Sequence, residues 1–77
     1  MKTYKVDQET ENAASQIREY ILDKYKKDVV GRKSFCVRTV LLKSGWEVRV
    51  ELPTFMLEKK KHKITCDVRK IFNRIII

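Results

Sequence analysis

Between residues 7 and 27 the apolar side chains recur at the spacing of an α-helix. Acidic residues gather near the start of this stretch and lysines near its end, which suits the helix dipole. β-branched residues and then Gly31 follow, so we expect the helix to end there. Ahead of it, alternation at Tyr4 and Val6 allows only a short strand. The predicted apolar stripe consists of Ala13, Ala14, Ile17, Tyr20, Ile21 and Tyr25.

From Ser34 to Leu52 the period changes to two on both sides of Ser44-Gly45. This alternation predicts an antiparallel hairpin with one buried face, because successive side chains of a strand point to opposite faces of a sheet. Pro53, which lacks an N–H group, suits the end of the second strand. The second strand alternates between the apolar residues Trp46, Val48, Val50 and Leu52 and the charged residues Glu47, Arg49 and Glu51.

The register of the hairpin follows from its apolar faces. A two-residue turn at Ser44-Gly45 places Leu41 opposite Val48 and Arg38 opposite Glu51, so that apolar residues meet apolar ones. A shift by one residue would set Arg38 against Val50 and mix the faces. We therefore predict the two-residue turn.

Two further elements are predicted after the hairpin. His62, Ile64 and Cys66 alternate with polar residues, which predicts a third strand at an edge of the sheet with lysines outward. From about Thr65 the period returns to 3.6, which predicts a C-terminal helix with Asp67 in its first turn. The apolar face of that helix would contain Val68, Ile71, Phe72 and Ile75.

These elements predict one α+β domain over residues 1 to 77. It is a two-layer domain in the order α-β-β-β-α, in which two amphipathic helices cover one face of a three-stranded antiparallel sheet. With 77 residues the core is thin, so we expect stabilisation by a homodimer or a protein partner. The predicted core contains Ile17, Ile21, Val37, Trp46, Val48, Val50, Ile71 and Phe72.

Charge is concentrated at the end of the chain. Residues 58 to 77 hold seven basic and two acidic side chains, and so carry +5 of the net charge of +8. Lys59, Lys60, Lys61 and Lys63 stand almost together, and such a cluster attracts polyanions. We therefore predict a nucleic-acid-binding protein, for DNA or RNA. The predicted site consists of Lys59, Lys60, Lys61, Lys63, Arg69, Lys70, Asn73 and Arg74, with Arg32 and Lys33 from the loop before the hairpin.

A protein-interaction module, such as a small adaptor, an inhibitor or a dimeric assembly factor, is the alternative. It depends on apolar residues that a small core cannot all absorb. If they cluster, they form a patch for a partner or a second copy; if they are scattered, they need no explanation. These residues are Val40 and Leu42 on the outer face of the hairpin, Phe55, Met56 and Leu57 after Pro53, and Ile76 and Ile77.

Enzyme chemistry finds little support. No P-loop, dinucleotide fingerprint or nucleophile elbow occurs, and Cys36 and Cys66 lie thirty residues apart without metal-ligand spacing, so we expect no enzyme, no cofactor and no metal. A metal-free nuclease built from His62, Arg49 and Arg38 is a weaker alternative, since alternation predicts a partly buried strand histidine. No apolar run reaches the roughly 18 to 20 residues of a membrane span, and the N-terminal residues lack a signal-peptide core. We therefore expect no membrane insertion and a cytoplasmic location, or a nuclear one if the source is eukaryotic.

Overall fold

The computed structural model describes residues 7 to 31 and 34 to 77. Within these residues the elements follow in the order α1, α2, β1, β2, α3 and β3. Their bounds are Gln8–Lys24 for α1, Lys26–Val29 for α2, Cys36–Leu42 for β1, Gly45–Glu51 for β2, Glu58–Arg69 for α3 and Ile75–Ile76 for β3. The short strand predicted at Tyr4 and Val6 lies outside the described residues.

The first helix forms where the apolar period predicts it. Asp7 caps it, because a carboxylate oxygen of Asp7 accepts hydrogen bonds from the backbone N–H and the hydroxyl of the buried Thr10. Ile17 and Ile21 on the inner side of α1 are fully buried. The helix breaks at Tyr25, after which α2 adds a single turn.

The hairpin has the predicted apolar face but a different register. Leu42 pairs with Gly45 and Leu41 with Trp46, so the turn residues are Lys43 and Ser44, and the pairing has shifted by two residues from the prediction. A shift of two keeps every side chain on its predicted face. Gly45, the first residue after the turn, has a φ of 119°, a conformation that favours glycine, whereas neither Lys43 nor Ser44 has a positive φ.

The predicted third strand is wrong: the lysine-rich segment forms the helix α3. Glutamate and lysine favour helices, and buried Ile64 and Val68 stand four residues apart on one helix face. The hydroxyl of Thr65 donates to the carbonyl of Lys61 at 2.8 Å, one turn back. An alternation of three apolar residues was too short to distinguish a strand from this helix.

The predicted C-terminal helix is also wrong. α3 ends at Arg69, and after a turn the chain forms β3, which pairs with the free edge of β2 in parallel, with Val48 opposite Ile75. The backbone N–H of Val48 donates to the carbonyl of Arg74 at 2.9 Å and extends this pairing. Three consecutive isoleucines from residue 75 favour an extended chain because their branched side chains lose χ1 freedom in a helix. The sheet is therefore mixed, not antiparallel.

The result is a small α+β domain with a three-stranded mixed sheet in the order β1-β2-β3. α1 contacts both strands of the hairpin, and α3 serves as the crossover that two parallel strands require. Among the described residues no helix is long and apolar enough to cross a membrane. Of the predicted core residues, Trp46, Val37, Ile71 and Phe72 are only half-buried, while the fully buried side chains include Ile17, Ile21, Val48, Val50, Ile64 and Val68.

Candidate nucleic-acid interface

The sequence-predicted lysines lie on α3, and the helix separates them into two groups. Lys59 and Lys63 are exposed, whereas Lys60 and Lys61 are half-buried. The reason is geometric: the buried side of α3 is set by Ile64, and Lys60 stands one turn before it. We call the exposed side the outer face of α3, and it consists of Lys59, His62, Lys63, Cys66, Arg69 and the adjoining Lys70.

Lys60 and Lys61 are occupied by carboxylates. The Nζ atom of Lys60 lies 3.1 Å from a carboxylate oxygen of Asp28 on α2, which ties α3 to the chain that follows α1. The Nζ atom of Lys61 lies 3.7 Å from Glu58 on the preceding turn, and only 23% of the Lys61 side chain is exposed. These two cations are less available to a ligand than the sequence suggested.

The cations on the outer face, by contrast, are unneutralised. Within the described residues, the side chains of Lys59, Lys63, Arg69 and Lys70 form no ion pair and no hydrogen bond. The only exposed acidic residue of α3 is Glu58, at the beginning of the helix. A positive surface therefore extends along the whole length of α3.

The start of α3 adds to this positive field. The N-terminal end of a helix carries about half a positive charge, so lysines in its first turn are unfavourable by roughly 0.3 to 1 kcal/mol each when exposed. Lys59 stands in that turn, and no side chain caps the helix at Leu57. Lys59 therefore gains nothing from the helix dipole, although lysine itself has a favourable helix propensity.

The remaining predicted site residues are less well placed. Asn73 and Arg74 are exposed, but they line a groove with Asp7 and Glu9 at the start of α1. Arg69 and Lys70 line the same groove, so these two carboxylates weaken the positive field at this end of the outer face as well. The guanidinium of Arg74 also approaches the hairpin at Gly45. A Cβ atom added to that glycine would lie 3.5 Å from Nη1 of Arg74. Arg32 and Lys33 lie outside the described residues.

A polar cluster on the inner side anchors α3 to α1. The hydroxyls of Tyr20 and Tyr25 each donate to one carboxylate oxygen of Asp67 at 3.1 Å. The Nζ atom of Lys24 donates to the Tyr20 hydroxyl at 2.9 Å and lies 3.5 Å from the same carboxylate oxygen. Asp67 is therefore turned away from the outer face, where its negative charge would repel a polyanion.

The pKa directions in this cluster indicate an anchor and not a catalytic group. Burial raises the pKa of Asp67, but the hydrogen bonds from Tyr20 and Tyr25 outweigh burial and hold that pKa below its usual range. Burial raises the pKa of Tyr25, and its hydrogen bond to Asp67 raises it further. The hydrogen bond with Tyr20 raises the pKa of Lys24. At neutral pH the carboxylate is charged and Tyr25 is protonated, so Tyr25 is not activated as a base.

His62 and Cys66 occupy the middle of the outer face. The prediction of a partly buried strand histidine is wrong: His62 is exposed, and its Nε2 atom lies 3.6 Å from the Sγ atom of Cys66, one turn along α3. Both Cys66 and Cys36 are free thiols. Within the described residues no group of three or more His, Cys, Asp or Glu side chains could hold a metal ion.

The residues of the nuclease alternative are brought together only in part. His62 lines an open groove with Arg49, between α3 and the end of the sheet, and Arg38 is not among its lining residues. Arg38 pairs with Glu51 at 2.8 Å, and the Nε atom of Arg49 lies 3.5 Å from the same carboxylate oxygen. The one carboxylate near both arginines, that of Glu51, is thus already engaged by two cations.

Sequence reasoning missed two features of this site. It could not divide the lysine run, although the spacing of Ile64 and Val68 held that information once a helix was assumed. It placed Asp67 in the first turn of a C-terminal helix and missed its contact with Tyr20, which lies 47 residues away from it along the chain. Comparison with protein-family models, curated proteins and solved structures finds no match to this chain. The function therefore has to be argued from its own residues.

Proposed function

We propose that this protein binds nucleic acid through the outer face of α3. The observation that carries the proposal is the row of unneutralised cations at Lys59, Lys63, Arg69 and Lys70 on one exposed helix face. A helix fixes the spacing of these charges, and phosphate contacts need several cations held on one surface. Binding is driven by cation–phosphate attraction and by release of the counterions condensed on the polymer.

The expected salt dependence follows from the number of available cations. With about four phosphates neutralised on a DNA duplex, log K should fall against log salt with a slope of about −3.6. Removing two of those contacts should halve the slope and weaken binding by about 60-fold at roughly 0.1 M salt, since each contact contributes a slope of about −0.9. The change in slope and in affinity distinguishes binding through these four cations from general attraction by the net charge.

The test compares two double variants that remove the same charge from different sides of α3. Lys59→Ala with Lys63→Ala takes both cations from the outer face; Lys60→Ala with Lys61→Ala takes both from the paired side. Binding to DNA and RNA oligonucleotides, both single-stranded and duplex, would be followed by fluorescence anisotropy over a range of salt. Circular dichroism would show that both variants stay folded, as expected because exposed ion pairs contribute at most about 1 kcal/mol.

We expect the outer-face variant to lose about 60-fold in affinity and the paired-side variant to stay within roughly threefold of the wild type. Equal losses would mean that only net charge matters and would contradict the proposed surface. If the wild-type protein binds none of the oligonucleotides at about 0.1 M salt more tightly than the millimolar range, the proposed function fails altogether.

A second candidate, an interaction with a further protein or a second copy, has its own supporting observation. In the described part of the chain β1 is the longer of the two edge strands of the sheet, and Leu41 and Leu42 near its end are 49% and 44% exposed. Long, apolar edge strands invite another strand to pair with them. Of the other apolar residues predicted to remain outside the core, Met56 is buried, whereas Leu57 is 73% exposed.

Sedimentation measurements test this candidate. Leu42→Lys puts a charge on the edge strand, as many proteins do to prevent such pairing, and leaves the buried face of the hairpin unchanged. If the wild-type protein is a dimer through β1, this variant should become a monomer, whereas Leu57→Ser should remain dimeric. A wild-type protein that sediments as a monomer at every concentration would contradict the candidate.

A further inference from the structure

The outer face of α3 has a definite arrangement across its width. At about 100° per residue, Lys63 and Arg69 stand about 120° apart around the helix axis, with Cys66 midway between them. His62 lies between Cys66 and Arg69, whereas Lys59 and Lys70 lie on the side of Lys63. Long cations therefore flank the face on both sides, and the two shortest side chains, which are uncharged when His62 is neutral, occupy its centre.

This cross-section matches one kind of nucleic acid. The major groove of B-form DNA is about 12 Å wide and accepts a helix, whose diameter with side chains is about 10 to 12 Å, between two rows of phosphates. Flanking cations would meet the phosphates of both strands, and central side chains would meet the base edges. The major groove of A-form RNA is deep and narrow and does not accept a helix.

The acidic residues of α3 leave the centre of its outer face free, because Asp67 is held inward by Tyr20 and Tyr25 and Glu58 is the first residue of the helix. Asp7 and Glu9 of the N-terminal part approach only the far end of that face, where they line a groove with Arg69 and Lys70. α3 spans about 18 Å at 1.5 Å per residue, which is enough to follow the groove for about half a turn of DNA.

We infer that the ligand of this surface is duplex DNA in the B form, with α3 inserted in the major groove. This inference rests on the proposed nucleic-acid binding and adds the class of polymer and the groove. Lys59, Lys63 and Lys70 would contact the phosphates of one strand and Arg69 those of the other. His62 and Cys66 would face the base edges, where the imidazole can hydrogen-bond to the bases.

Cys66 provides a direct readout of groove insertion, because it stands at the centre of the exposed face. In a Cys36→Ser background, Cys66 is the only thiol, and its rate of alkylation can be followed by mass spectrometry. The protein would be saturated with a DNA duplex of about two helical turns, or with an RNA duplex of the same sequence. Affinities for both duplexes would be measured on the same samples, and methylation of guanine N7 would report on the major groove of the DNA.

We expect DNA to bind about tenfold or more tightly than the RNA duplex, to slow alkylation of Cys66 by about tenfold or more, and to become protected at guanine N7. If both duplexes bind equally well and Cys66 reacts in the complex as fast as in the free protein, the groove assignment is overturned while nucleic-acid binding stands. Preference for single strands would overturn it in the same way. If no oligonucleotide binds, the proposed function fails together with this inference.

Discussion

Ile64→Ala tests the position of α3, on which the functional argument depends. Ile64 is fully buried in the helix and belongs to the core together with Val68 and the sheet residue Val48. The substitution removes three carbon atoms, which corresponds to about 2.4 kcal/mol of lost transfer free energy at about 0.8 kcal/mol per carbon. The cavity left behind adds to this, so we expect the free energy of unfolding to fall by about 2 to 5 kcal/mol.

Such a loss is large for a chain of this length. A change of 1 kcal/mol shifts the melting temperature of a domain of 60 to 100 residues by about 4 to 8 °C, so the transfer loss alone predicts a fall of roughly 10 to 20 °C. Urea unfolding followed by circular dichroism gives the free energy, and the slope against urea shows whether the transition stays two-state. The matched control is Cys66→Ala, which removes an exposed side chain two residues away and should change stability by less than about 0.5 kcal/mol.

The pair of variants distinguishes the helix from the strand predicted for the same residues. In a strand, Ile64 and Cys66 would point to the same buried face, so both substitutions would be costly. In the helix only Ile64 is buried. A Cys66→Ala variant that is destabilised as much as Ile64→Ala would therefore refute the helical arrangement, and with it the outer face of α3.

Two further predictions concern the anchor and the turn. The pKa of Asp67 lies below its unfolded value, so its stabilising effect is present above about pH 4 and should be lost as the pH falls through the folded pKa. In the Asp67→Asn variant, the free energy of unfolding from urea titrations should therefore fall less between about pH 5 and pH 2 than in the wild type. An equal fall in both proteins would contradict the role of Asp67 as an anchor. Gly45→Ala should lower stability by about 1 to 3 kcal/mol because its φ of 119° is unfavourable for alanine, whereas Lys43→Ala should have little effect in the same thermal melts.

The elements with long periodic patterns were predictable from sequence. α1 extends over 17 residues with a continuous apolar stripe, and the hairpin strands of seven residues alternate on both sides of a glycine. In such stretches many positions fit the same period, so a single residue that departs from the pattern does not change the predicted element. The register of the hairpin was wrong by two residues because Gly45 was assigned to the turn itself, whereas its pairing with Leu42 makes it the first residue after the turn.

The last third of the chain was not predictable in the same way. His62, Ile64 and Cys66 alternate, yet Ile64 and Val68 also fit a helix, and three or four residues do not separate the two periods. The isoleucines from residue 75 form a strand only because β2 offers them a free edge, which is a tertiary property. The candidate cations can be named from the sequence because charge is visible there, but which of them point outward depends on the element that carries them.

This dependence changes what the charges can recognise. In a strand, Lys61 and Lys63 would share one flat face with a spacing of about 7 Å, and such a face could lie along any polyanion. In the helix, Lys61 is largely covered and pairs with Glu58, while Lys63 joins Lys59 on the exposed side of a convex rod. If the protein binds nucleic acid as we propose, a convex rod fits a concave ligand surface with phosphates on both sides, and the major groove of B-form DNA has that shape. The net charge of +8 alone would not distinguish DNA from RNA, so the proposed preference for DNA rests on the shape of the element that displays the charge.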